Sequence, residues 1–444
     1  MNHVPRIGFV SLGCPKALVD TETIVGRLKT LGYDTAPDFT SADLVIVNTC
    51  GFLNESVAES LEAIEEALQE NGKVIVTGCL GARKNPDNTD FVTTRLPKVL
   101  GVTRPGAFDE VISLVQKFAP IASTAKRNAD FSSLHLTPAH YAYLKISEGC
   151  SHHCTYCIIP KLRGPLVSTS VRDNLLRAQR LVQSGVRELL VVSQDTAAYG
   201  ADLKFVTGFD TQNRPTPTRI LNLCERLAEL NVWVRLHYVY PYPQVDALVE
   251  LMAQGKILPY LDVPLQHAHP RVLKAMKRPG DSEKTLERIL TWRRICPDIA
   301  IRSTFIAGFP GETESEFQYL LDFIKEAQLD RVGCFAYSPI DGAAANDLYE
   351  AIPDEVRLDR RERFMALQSQ ISETKLKNRI GQTLEVMIDE PEDDEGVAVG
   401  RTKYDAPEID GLTYVTTDRH LNPGDIVNVQ ITRTEGPDLV GKAL

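Results

Sequence analysis

Short apolar runs alternate with amphipathic helical stretches along most of this chain, and that rhythm admits few folds. In the first 118 residues the runs are IGFVSL, DLVIVNT, KVIVTG and KVLGV, with helical periods over Thr21 to Leu31 and Glu55 to Glu70. Strands that return in parallel need long crossovers, so this block predicts a parallel βαβ sheet with helices outside. The period breaks at 119–141, which reads as a linker. Six more runs follow: AYLKIS, ELLVVS, VWVRLHY, YLDVPLQ, IAIRSTFI and RVGCFAYS. Each leads into a helical stretch, which predicts an open, partial (β/α)6 barrel over 142–352. Leu203 to Pro217 is an irregular insertion in it. A charged connecting helix is expected over 353–380. The last runs, LEVMID, GVAVGRT, LTYVTT and DIVNVQITR, are split by Gly, Pro and Asp and predict a small antiparallel β-barrel over 381–444.

A chain of 444 residues exceeds one ordinary core. No apolar run is long enough for a bilayer, and MNHVPRIGFV lacks the segments of an export signal, so the cytoplasm is the expected compartment. Nine cysteines in such a chain argue for metal binding, catalysis or core filling, not a disulfide framework. Net charge is −10, and residues 381–444 carry −9 of it, from 14 acidic and 5 basic side chains. An acidic module repels nucleic-acid backbone and attracts basic surfaces, although a well-solvated face needs no partner.

Cys150, Cys154 and Cys157 lie within eight residues in EGCSHHCTYCIIPKLRG, just after the first predicted barrel strand. A structural zinc site closes with four ligands, and no clear fourth follows; His152 and His153 lie inside the loop, where ligation strains it. Three thiolates suit a [4Fe–4S] cubane with one iron open to a further ligand. The competing reading is a zinc knuckle or three unrelated thiols.

Cys14, Cys50 and Cys79 are separated by 36 and 29 residues, each ending an apolar run. Each gap accommodates one βαβ crossover, so three parallel strands must deliver the cysteines to one sheet edge, where such sheets bind ligands. Gly13, Gly51 and Gly78 beside them are expected to let the backbone approach a bulky cofactor. Three buried thiols at strand ends is the competing reading. Cys224, Cys296 and Cys334 have no partner at ligand spacing and read as packing residues.

The Cys150-x-x-x-Cys154-x-x-Cys157 spacing after a first barrel strand resembles the radical S-adenosylmethionine (SAM) superfamily. The order of the three segments resembles its methylthiotransferases, which join a three-cysteine domain, a radical SAM barrel and a TRAM barrel. SLGCPKALVDTE, NTCGF, VVSQDTAAYG, PLQHAHPRVLKAMKR, TFIAGFPGETESEF and VGRTKYDAPEIDG are similar to the branch acting on an aspartate of ribosomal protein S-twelve. The resemblance implies two [4Fe–4S] clusters, one on Cys150, Cys154 and Cys157 and one on Cys14, Cys50 and Cys79. It implies two SAM per methylthio insertion, a basic ribosomal protein as substrate, and an electron donor such as flavodoxin or ferredoxin. Tyr156 matches the family's aromatic position near adenine, and no catalytic side chain is implied beyond the cluster ligands.

Barrel strand ends supply the candidate SAM contacts: Gln194, Asp195, Gln266 and Gly308, with Arg302 on the fifth strand. Each of them could equally be a local cap or a core hydrogen bond. His267 and His269 read as loop residues. A tRNA methylthiotransferase shares the machinery, but the −9 tail opposes phosphate contacts. A different radical SAM reaction would also use the loop cysteines, and a non-catalytic metal-binding ribosome assembly factor could hold metal on the same thiols.

Overall fold

The structure, a computed structural model, describes residues 4–121, 131, 133–278 and 282–444. Part of the expected linker, 122–130 and 132, lies outside the described residues.

The first sheet is parallel throughout, in the order β2-β1-β3-β4-β5, from β1 (Arg6–Ser11), β2 (Asp34–Thr35), β3 (Leu44–Thr49), β4 (Val74–Gly78) and β5 (Gly101–Val102). β3 and β4 are buried along their whole length, as strands covered on both faces must be. Helix α1 (Pro15–Leu31) begins earlier than its apolar period suggested, because Pro15 is compatible with the first helical turn. It ends at Gly32, whose φ of 101° provides a left-handed cap.

Six parallel strands form the open central sheet: β6 (Tyr141–Lys145), β7 (Glu188–Val192), β8 (Trp233–Leu236), β9 (Tyr260–Asp262), β10 (Ala300–Ala307) and β11 (Arg331–Ala336). Their order is β11-β10-β9-β8-β7-β6, the partial barrel expected. Alternate residues divide its faces. Ala142, Leu144, Leu189 and Val191 join the large outer core, whereas Tyr141, Tyr143, Leu190 and Val192 face Val19 of α1. Helix α1 therefore belongs to the first sheet in sequence and packs on the inner wall of the second. The insertion is less irregular than expected, because Thr207–Phe209 and Pro215–Pro217 pair as a hairpin.

The connecting helix runs Asp354–Lys377. Beyond it, β12 (Thr383–Glu390), β13 (Val397–Thr402), β14 (Thr413–Thr416), β15 (Ile426–Glu435) and β16 (Asp438–Ala443) close into a barrel. It is not wholly antiparallel as expected: β14 and β16 pair in parallel, which lets the chain return to the starting strand. The loop between β13 and β14 docks beneath the central sheet. Tyr260 donates to Asp410 at 2.7 Å, Arg331 pairs with Asp405 at 2.6 Å, and Tyr141 donates to Glu408 at 3.0 Å. No described helix is long and apolar enough to cross a membrane.

Candidate active site

Strand register brings Cys14, Cys50 and Cys79 to one edge. Thr49 pairs with Gly78, so Cys50 and Cys79 leave adjacent strands at the same level. A Cβ on Gly13 would lie 3.4 Å from the Cys50 sulfur, and one on Gly51 would lie 2.6 Å from the Cys79 carbonyl carbon. These glycines therefore let the strand ends pack on one another, a nearer cause than the cofactor approach the sequence suggested. Ser60 Oγ holds Cys50 from both sides, accepting its N–H at 3.1 Å and donating to its carbonyl at 2.9 Å.

Charge reaches this edge from the other sheet. Arg163, in the short helix Ile159–Arg163 after the Cys150–Cys157 loop, donates Nε–H to the Cys79 sulfur at 3.2 Å. Its Nη1 donates to Asp20 at 3.2 Å and Glu148 at 2.9 Å. Burial pushes the Cys79 thiol up to about 11, against the opposing pull of Arg163. Burial also opposes ionisation of Cys14, but Lys16, Arg163 and the N–H groups of Ala17 and Lys16 hold its thiol below the usual range.

The second set sits on a loop pinned at both ends. Cys150 N–H donates to Gly164 at 3.0 Å, Thr155 N–H to Met276 at 3.2 Å, and Ala345 N–H to Thr155 at 2.9 Å. The Cys157 sulfur accepts the Ile159 N–H at 3.4 Å, while burial pushes its thiol up to about 12. Ile158 and Leu162, which follow the loop cysteines in the chain, pack against Cys79. Among the described residues, no three His, Cys, Asp or Glu side chains are gathered around a single ion-sized position. A cluster puts each thiolate on a different iron, so its ligands stand further apart than those of one ion. All six thiols are free of disulfides, and this donor set fits iron–sulfur binding.

The SAM-contact candidates fall into two groups. Gln194 leaves both its amide oxygen and nitrogen buried without a partner, as a residue awaiting a ligand does. Tyr156 is half-buried beside Met276, Phe309 and Tyr337, and Gln266 holds a φ of 73° while its carbonyl accepts Ile306 N–H. The rest are already engaged. Asp195 accepts from His152 at 2.7 Å, from Tyr242 at 3.1 Å, and caps Ala198. Arg302 lies near the start of β10, at the opposite end from the cysteines, between Asp262 at 3.2 Å and Asp410 at 3.5 Å. Arg357 packs over Gly308, where a Cβ would meet it at 2.5 Å. These three thus already have contacts within the protein. His152 stacks on Tyr240 with ring centroids 4.1 Å apart, and His267 meets Glu312 at 3.2 Å in a fully buried pair. Cys224, Cys296 and Cys334 are buried. Sequence reasoning missed Lys16, Asp20, Glu148 and Arg163, whose proximity no local spacing records.

Three family descriptions match in chain order: Uncharacterized protein family UPF0004 over 6–94, the Radical SAM superfamily over 144–324, and the TRAM domain over 380–444. A solved radical SAM methyltransferase, TsrM from Kitasatospora setae, is similar in fold, with a TM-score of 0.54 and 13% identity over 77% of this chain and 74% of that one. Much nearer relatives are the ribosomal protein uS12 methylthiotransferases RimO of Cupriavidus metallidurans and Klebsiella pneumoniae. The first is 57% identical over 100% of this chain and 98% of its own length. The second is 55% identical over 99% of both. Identity of that degree across three domains in the same order leaves one assignment: the chain belongs to the RimO family of ribosomal protein uS12 methylthiotransferases.

Proposed function

We propose that this protein replaces a hydrogen on the β-carbon of an aspartate of ribosomal protein uS12 with a methylthio group, using two SAM and two [4Fe–4S] clusters. The observation that carries the reading is the contact between the segment following the loop cysteines and the strand-end set, with Arg163 bonded to Cys79 and Ile158 packed beside it. Cys150, Cys154 and Cys157 hold the cluster that binds SAM, and Cys14, Cys50 and Cys79 hold the one that carries sulfur. Bound there, the clusters and SAM supply hydrogen abstraction and methylthio transfer, chemistry that no side chain provides. The chain's own residues place and shield. Gln194 offers its unpaired amide to SAM. Val19, Tyr143 and Leu190 keep water from the barrel interior. The exposed acids Asp393, Asp394 and Glu395 of the terminal barrel favour a basic protein over tRNA phosphate. A flavodoxin or ferredoxin supplies electrons, and the cytoplasm is the compartment.

Anaerobic reconstitution with iron, sulfide, SAM and reductant tests this against recombinant uS12, read by intact mass. The expected result is about eight irons per chain and a uS12 mass gain of one methylthio group in place of hydrogen. Restoration of a tRNA nucleoside in a deletion strain, with uS12 unchanged, would overturn it.

A further inference from the structure

Cations crowd the buried region beside Cys14 and Cys79. Lys16, Lys145 and Arg163 share it with Asp20 and Glu148, and Asp262 and Cys14 also act on Lys16. Lys145 donates to both carboxylates, at 2.8 Å to Glu148, and Arg163 uses Nη1 for both. That leaves Arg163 Nη2 buried without a partner, on a side chain 1% exposed. Lys16 is 8% exposed, and its ammonium lies 3.6 Å from the centroid of the Tyr238 ring. Among the described residues no ion pair forms at its ammonium, and Asp262 is the carboxylate that acts on it.

Lys16 is also on the first turn of α1, where the helix dipole adds partial positive charge. It lies two residues from Cys14 and projects to Tyr238, which follows β8, so it crosses from the sulfur edge into the barrel interior. A buried ammonium on an aromatic face, with a second unsatisfied cation nearby, is costly until an anion arrives. The thiols do not fill the need alone, since Cys79 already has Arg163 Nε–H and Cys14 has two backbone donors.

We propose that Lys16, assisted by Nη2 of Arg163, is the receptor for the side-chain carboxylate of the residue to be modified. The inference rests on the methylthiolation reading above and says why an aspartate is chosen. An aspartate carboxyl is bonded directly to the β-carbon. Holding it at Lys16 sets that carbon between the two cysteine sets. Both residues act by positioning, and the carboxylate gains charge-assisted bonds in a site shielded from water.

The test uses reconstituted full-length enzyme and two forms of uS12, one with the target aspartate and one with asparagine in its place. Wild-type enzyme is expected to prefer the aspartate form by about 100-fold in kcat/KM, with tighter binding of it by fluorescence anisotropy. Lys16→Met should bring that preference to within a few-fold, a ratio of two substrates on one enzyme that does not depend on how fully its clusters are loaded. Lys16→Arg should recover part of the preference. Retention of it in Lys16→Met, or equal loss on both substrates with altered cluster spectra, would overturn the proposal, the latter assigning Lys16 to cluster charge balance. Wild-type enzyme inert toward both forms would instead remove the methylthiolation reading, and this inference with it.

Discussion

Cys150, Cys154 and Cys157 hang from one eight-residue loop, whereas Cys14, Cys50 and Cys79 come from three strand ends held in register. The loop is fixed by backbone bonds to Gly164, Met276 and Ala345, all from its own barrel. The strand-end set depends on its neighbour, because its buried cation, Arg163, belongs to the segment following the other loop. Electrostatics differ accordingly. Burial dominates at Cys157, while Cys14 is drawn toward thiolate by Lys16 and Arg163. A loop site is thus self-contained, and a strand-end site is completed only when two sheets dock.

The sharpest way to break this contrast is to delete one thiol from each set. Ala at Cys150 should reduce both SAM cleavage and methylthiolation to background. Ala at Cys50 should abolish methylthiolation but leave part of the SAM cleavage, seen as deoxyadenosine by liquid chromatography. Equal loss of cleavage from both variants would remove the division of labour.

Removing the link between the sets is expected to have the next largest effect. Arg163→Met strips a hydrogen bond from the Cys79 sulfur, and outer-shell losses of this kind reduce activity about 10–100-fold. Methylthiolation should fall by that range while SAM cleavage persists. An unchanged spectrum and rate for the strand-end cluster would show that the two sets are independent.

A smaller, purely steric probe is Gly51→Ala. The added Cβ would meet Leu80 N at 2.5 Å, and overpacking backbone costs about 1–3 kcal/mol. Thermal melts should show that loss, and bound iron should fall toward the content of the loop set alone. Iron retained in full would show that the strand ends tolerate separation.

Glu22 offers the mildest test, through pH. Burial raises its carboxyl from 4.5 to about 7, with Leu136 N–H and Arg177 opposing and Asp20 adding. It ties α1 to Arg177 at 3.2 Å, so it reports on the docking that completes the strand-end set. A folded-state pKa above the unfolded value means that the native form holds the proton longer. Stability from this group therefore falls as pH rises from 4.5 to about 7. Glu22→Gln should match wild type near pH 4.5. It should gain on the order of 1 kcal/mol above neutrality, measured by melts across pH. A difference that does not vary with pH would contradict the burial argument.

Charge on the terminal barrel shows where sequence reading stopped short. The −9 count treated its acids as one outward face. Asp405 and Asp410 instead bind Arg331 and Arg302 of the central barrel, while Glu390 and Asp393 to Glu395 remain exposed. Composition cannot distinguish internal pairing from display, because both use the same side chains. Arg302 illustrates the same limit. Its strand was legible, but its position near the strand start, away from the cysteines, followed from the register of β9 with β10.

From sequence alone came the alternation of strands and helices, the loop triad, and the convergence of Cys14, Cys50 and Cys79. Each rests on a local or periodic rule: side-chain period, ligand spacing, and the single direction of parallel strands. Tertiary structure alone decided how the sheets face, and therefore that α1 lines the barrel and Arg163 reaches Cys79. Those contacts join residues far apart in sequence, 84 positions for Arg163 and Cys79, and no local pattern records them. They form because burying α1 against the barrel wall removes apolar surface from water, and the buried charges must then find partners across the interface.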